Sequence, residues 1–134
     1  MNSKNTAGEG MSYTKMNPEA KKRWIKALTS GKYKQGKDYL CKFDSRGELR
    51  YCCLGVLCEE EVEGDWVLQD REIGEACWRL EVRRGKGVDS NAAMPPIEAE
   101  RQVGLSESAS SHLASMNDLG VKFKTIAKWI ENNL

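Results

Sequence analysis

Cys53 is the first residue in the chain whose type and position suggest chemistry. It opens the apolar run Cys53-Leu54-Gly55-Val56-Leu57-Cys58, which stops at Glu59-Glu60-Glu61 and sets Leu54, Leu57, Cys58 and Val62 on one helical stripe. Free N–H groups and the dipole at a helix N-terminus lower a thiol pKa and can donate to an oxyanion, which makes Cys53 a candidate nucleophile for a hydrolase or transferase. A thiol nucleophile needs a base, and His112 is the only histidine. It falls in the Ser-rich helical segment Ser108-Ala109-Ser110-Ser111-His112-Leu113 rather than on a strand facing the thiol. The competing expectation is that Cys52 and Cys53 are small apolar filler at a sheet-to-helix corner. Cys53, Cys58, Cys77 and His112 could be imagined as a zinc set, but no Cys-x-x-Cys occurs to start one. The expectation is therefore no catalytic residue, no metal and no cofactor.

Binding chemistry concentrates elsewhere. The segment Ser30-Gly31-Lys32-Tyr33-Lys34-Gln35-Gly36-Lys37 brings Lys32, Lys34 and Lys37 together with Tyr33 and Gln35 on a loop. Such a set can stack a base, contact phosphates and read an amide or base edge. Asn117 and Asp118, at the end of a later helix, add a second polar pair, with bonding to nearby backbone as their structural alternative. These seven residues are the candidate ligand or partner surface. Other motifs give less. Glu59-Glu60-Glu61 reads as a solvated helix end, Gly85-Lys86-Gly87 is too short to cradle a phosphate, and no Walker motif is present. The stretch from Gly120 to Ile130 resembles the first part of a helix-turn-helix, but the chain ends four residues later, before any recognition helix.

Charge frames these candidates. A formal charge of +1 and a pI near 7.6 conceal a net +7 over residues 1–50 and a net −7 over residues 51–100. The halves can attract each other in the fold, or offer basic and acidic faces to different partners. A dedicated nucleic-acid binder would be more basic, so nucleic acid is not the expected partner. The 134 residues, 40% hydrophobic and 31% charged, suit one soluble domain, and no apolar run approaches the roughly 20 residues of a spanning helix. Five cysteines, an odd number with no export signal, point to reduced thiols and a cytoplasmic location.

The elements that must position these residues follow from local signals. Residues 1–16 show no apolar period and read as a flexible tail, with a single α+β domain over 17–134. Asn17 caps a helix with Pro18 first and Ala20, Trp24, Ala27 and Leu28 inward, closed by Gly31. Alternation at Tyr39, Cys41 and Phe43, the turn Asp44-Ser45-Arg46-Gly47, and Glu48 to Tyr51 predict a hairpin, followed by the Cys53 helix. Its three terminal glutamates oppose the helix dipole, so that end must fray or be neutralised by the basic N-terminal half. Residues 64–93 read as mostly irregular, with one clear strand at Trp78, Leu80 and Val82, a short one at Trp66-Val67-Leu68, and a loop over Gly85 to Asn91. Helices then start at Pro95-Pro96 and at Ser106, the second closed by Gly120. Phe123, Ile126, Ala127, Ile130 and Leu134 form a final amphipathic stripe on which Trp129 is a candidate docking residue. The expected fold is α+β, a small antiparallel sheet (the hairpin plus one or two further strands) packed against about five helices.

Several pieces together resemble a family of small uncharacterised proteins of bacteriophages and prophages. They are Trp24-x-x-x-Leu28-x-Ser30-Gly31-x-Tyr33-x-Gln35, the segment Tyr51-Cys52-Cys53-Leu54-Gly55-Val56-Leu57-Cys58, Met94-Pro95-Pro96, and Met116-Asn117-Asp118-x-Gly120 before Phe123. Cys-Cys-Leu-Gly-Val is the most specific of them, and the polar Glu98, Glu100 and Arg101 depart from the pattern. Tyr-Cys-Cys-Leu-Gly is also slightly similar to the Asp-Cys-Ser-Gly helix start of papain-like cell-wall peptidases, with Leu54 in place of the serine. The phage resemblance implies an accessory protein and no catalytic activity. The expected function is binding to a host protein or a nucleotide-like ligand, as in counter-defence, with a Cys53/His112 hydrolase or transferase and a DNA-binding module as alternatives.

Overall fold

In the computed structural model, which describes residues 13–69 and 76–134, the caps read from the sequence do the work expected of them. Helix α1 spans Pro18–Thr29, with Asn17 Oδ1 accepting the Ala20 N–H at 3.0 Å and Ala20, Trp24, Ala27 and Leu28 buried. Strands β1 (Cys41–Phe43) and β2 (Leu49–Tyr51) form the hairpin. Its turn is held by Asp44 Oδ1, which accepts the N–H groups of Arg46 and Glu48 at 2.8 and 2.9 Å. Helix α2 (Cys53–Glu61) follows, capped by Cys52, whose sulfur accepts the Gly55 N–H. Every residue from Cys53 to Cys58 is buried, as suits a helix apolar on all sides.

Beyond α2 the chain is more regular than its composition predicts. Strands β3 (Asp65–Gln69), β4 (Cys77–Arg84) and β5 (Gly87–Asn91) form an antiparallel meander. The loop expected over Gly85 to Asn91 is thus a two-residue turn and a strand. Gly, Asp, Ser and Asn are poor strand formers and β5 is largely exposed, so nothing in its own side chains announces it; ladder bonds to β4 impose the extended backbone. The sheet runs β2-β1-β4-β3, with β5 also on β4. Strands β1 and β5 share one edge of β4, β1 opposite Cys77 and Trp78 and β5 opposite Leu80 to Arg84. A bond from Leu40 N–H to Ala92 C=O, 2.8 Å, joins the two where they meet.

Three helices close the fold: α3 (Ile97–Val103), α4 (Glu107–Asp118, capped by Ser106) and α5 (Phe123–Asn133). Among the described residues five helices and five strands make the fold α+β. Helix α1 packs on α2 and α5, and α2 packs on α4. Trp24 is fully buried at this junction, its indole N–H donating to the Cys53 carbonyl at 2.9 Å. Gly55 is required where α2 meets the chain before β1, because a Cβ there would lie 1.8 Å from the Leu40 carbonyl oxygen. Of the segment read as a tail, residues 1–12 fall outside the described residues. Tyr13 packs edge-on against Trp129, and Met16 is buried with its N–H bonded to Leu134 C=O at 3.2 Å.

The opposed charges of the two halves meet across the surface of α1 and α2. Arg23 of α1 grips Glu61 of α2 through Nε and Nη2 at 2.8–3.0 Å, and Lys32 reaches Glu60 at 3.0 Å. The glutamate end of α2 is therefore neutralised by the N-terminal half, which offsets its unfavourable dipole interaction.

Candidate functional site

The sulfur-rich corner is sealed. All five cysteines are free thiols and all are buried. Burial pushes the Cys41 thiol up to about 12 and Cys52 up to about 11, and it raises Cys53 and Cys58 well above the usual thiol range. At Cys53 the main-chain N–H groups of the helix start act in the lowering direction, but loss of solvent outweighs them. The thiol instead donates to the Leu113 carbonyl at 3.6 Å. His112 lies on the other side of α4, exposed, its ring 4.7 Å from Trp129 and 6.2 Å from Tyr13. The structure does not bring Cys53 and His112 together. Among the described residues no cluster of three or more His, Cys, Asp or Glu side chains could hold a metal ion, so the Cys53, Cys58, Cys77, His112 set is not assembled.

Two of the candidate binding residues meet here and face inward. Asn117 is fully buried; its Oδ1 accepts the Cys53 N–H and Gln35 Nε2, both at 3.0 Å, and its Nδ2 donates to Gly36 C=O at 2.7 Å. Gln35 also donates to Val121 C=O at 2.8 Å, and its Oε1 accepts the Phe123 N–H at 3.1 Å. One amide pair thus satisfies the first N–H of both α2 and α5, which has no intrahelical partner, and pins the 30s loop to them. Asp118 accepts the N–H of Asp38, a residue held at φ +72°. This is the bonding to backbone foreseen as the structural alternative for Asn117 and Asp118, reached across the fold rather than locally.

The lysines and Tyr33 divide. Tyr33 donates its hydroxyl to Glu60, and burial together with that carboxylate raises its pKa. Lys34 pairs with Glu48 at 2.7 Å. Lys37 is exposed, with no ion-pair partner among the described residues, and it stands on the rim of an open groove of about 610 Å³. The groove runs from Gln35–Asp38 across the hairpin to Lys42, Asp44–Arg46 and Arg50. Four cations, Lys37, Lys42, Arg46 and Arg50, face two carboxylates, Asp38 and Asp44.

The hairpin register brings two of these cations together. Lys42 and Arg50 are direct cross-strand partners, and like charges so placed oppose pairing. Asp44 offsets part of it by accepting from Arg50 at 2.9 Å. Turn N–H groups and Arg50 hold the Asp44 carboxyl down at about 2, so it remains charged in any ordinary medium. Lys42 also lies over the Tyr39 ring. Of the candidates from the sequence only Gln35 and Lys37 lie here, and Asp44 to Gly47 reads there as turn chemistry alone; the pairing of 42 with 50 comes from the fold.

Next to Lys37 the end of α4 leaves Leu119 84% exposed, the most exposed large apolar residue described. Gly120 brings this turn against the Lys37 ammonium, which a Cβ at that position would approach to 3.9 Å.

A family described as a domain of unknown function, DUF8296, matches residues 16–134. No curated protein and no solved structure matches the chain.

Proposed function

We propose, for a chain that belongs to the DUF8296 family over residues 16–134, a function in binding without turnover, in which the hairpin groove takes up a phosphate-bearing, nucleotide-like ligand. The observation that carries this reading is the groove's uncompensated charge. Lys37 and Arg46 both line it with no ion-pair partner among the described residues. A purely structural groove gains nothing from two unpaired cations, whereas an anionic ligand pairs them. Gln35, the expected reader of a base edge, is fully engaged within the fold, so recognition rests on the cationic side chains.

The setting we infer is that of a phage or prophage accessory protein in the bacterial cytoplasm, sequestering a host signal as counter-defence. The Cys-Cys-Leu-Gly-Val motif and five thiols free of disulfides support it. Titrating ATP and a short single-stranded oligonucleotide into the wild type and into a Lys37→Glu/Arg46→Glu variant tests the groove. Saturable ATP binding that weakens at least tenfold in the variant is expected. Absence of binding to both probes, or equal binding by the variant, overturns the reading, and a steep salt dependence with preference for the oligonucleotide would assign the groove to nucleic acid.

A second reading is favoured by Leu119, which supplies an apolar anchor at the basic rim, as interfaces with proteins do. A host protein with an acidic patch would then be the target. Leu119→Glu should abolish that association while leaving ATP binding intact.

A further inference from the structure

A second cavity, of about 370 Å³, lies on another face of the molecule between β5, the Met94-Pro95-Pro96 segment, α3 and α4. Its walls are apolar along Met94, Pro95 and Pro96, while Asp89, Glu100 and Glu107 supply carboxylates, and no Lys or Arg lines it. The side chain of Asp89 is engaged, accepting the Glu98 N–H at 3.0 Å and pairing with Arg84 at 3.5 Å. Glu100 is different. It is only 8% exposed, it lines the cavity, and among the described residues no cation faces it and no side-chain hydrogen bond to it closes within ordinary distance. Burial raises its pKa, and the nearby Ser110 hydroxyl, itself fully buried without a formed hydrogen bond, offsets only part of that rise while Glu107 adds to it.

A carboxyl in such a position is costly unless something compensates it, since a buried charge without a partner destabilises the fold by more than its hydrogen bonds return. Exposed polar residues on a short helix would need no explanation. A nearly buried carboxyl that no cation faces, lining a cavity with one apolar wall, does, and it accounts for the polar departure at Glu100 noted in the sequence. The volume falls within the range of small-ligand sites, and the composition specifies the complement: a positive head of modest size and an apolar stem.

We propose that this cavity binds an aliphatic amine, its ammonium group against Glu100 and Glu107 and its methylene stem along Met94, Pro95 and Pro96. The inference is independent of the hairpin groove, whose residues it does not share. The same chemistry is offered by a free polyamine and by a lysine side chain of a partner.

Calorimetric titration of the full chain with cadaverine, with pentanediol as the uncharged analogue and with a doubly capped lysine, tests it, with amide NMR shifts locating the site. Saturable cadaverine binding is expected, at least tenfold tighter than pentanediol, with shifts confined to residues 89–111. Glu100→Gln should weaken it at least tenfold without lowering the melting temperature, and Glu107→Gln should weaken it less. Tighter binding of the capped lysine assigns the site to a partner's side chain, and tighter binding of cadaverine to a free amine; both support the proposal. No saturable binding, equal binding of pentanediol, shifts confined to the hairpin groove, or unchanged affinity in both variants would overturn it. If Glu100→Gln fails to fold, the pentanediol comparison and Glu107→Gln decide.

Discussion

The corner around Cys53 and the groove across the hairpin are adjacent in sequence and opposite in physical character. In the corner each polar group of Cys53 is answered: its N–H by Asn117, its carbonyl by Trp24, its thiol by Leu113. In the groove, charge is left over, and two of the four cations have no partner among the described residues. The difference teaches that polar residue types do not by themselves mark function. Asn117 and Gln35 look like ligand readers in the sequence and are tie-bars in the structure, whereas Arg46, read as part of a turn, is one of the two residues with an unanswered charge.

The comparison is broken most severely at the corner. Gly55→Ala would force a methyl group into the Leu40 carbonyl, and with backbone on both sides little can relax; a loss of about 3–5 kcal/mol, or failure to fold, is expected by urea denaturation. Asn117→Ala removes the partner of the Cys53 N–H, the Gly36 carbonyl and one Gln35 N–H together, and about 2–3 kcal/mol should be lost in the same measurement. Thiol labelling sharpens the same side. With burial raising four of the five thiols and all five shielded, alkylation near neutral pH should be slow for each, and the rate should rise in step with global unfolding; one fast thiol would contradict the sealed corner.

On the groove side the expected effects on stability are small. Lys37→Glu/Arg46→Glu should change unfolding free energy by less than about 0.5 kcal/mol, because neither side chain has an intramolecular partner to lose. The smallest effect belongs to Asp44. Its carboxyl falls from its ordinary 3.8 to about 2 in the folded chain, so it contributes stability that is fully present above pH 3.8 and is lost as pH falls toward 2. Asp44→Asn should flatten the acid limb of the stability curve in that window and leave the neutral region nearly unchanged.

Most of the frame was legible because its signals are local. Asn17 and Ser106 cap as their positions predict, Asp44 to Gly47 turns the hairpin, and the stripe from Phe123 to Leu134 is buried along its length. Strand β5 was not legible, since Gly87, Asp89, Ser90 and Asn91 have no preference for extended backbone and acquire it only from pairing with β4. The candidate surface was legible in part: Lys37 lies on the groove, but its other cations come together only through hairpin register and the approach of the 35–38 loop, which are tertiary facts. Glu100 registered as excess polarity in a short helix, and only its burial gives that polarity a meaning.

The shared edge of β4 has a mechanical corollary. Because β1 and β5 lie end to end along it, the hairpin that carries the groove is spliced to the meander by a short seam: Cys41 and Lys42 on β4, the Phe43–Ala76 bond and the Leu40–Ala92 bond. Amide protons of the hairpin should therefore exchange through openings that leave β3, β4 and β5 closed, and a molecule lodged between Lys37 and Arg46 would slow that exchange without being felt in the longer ribbon.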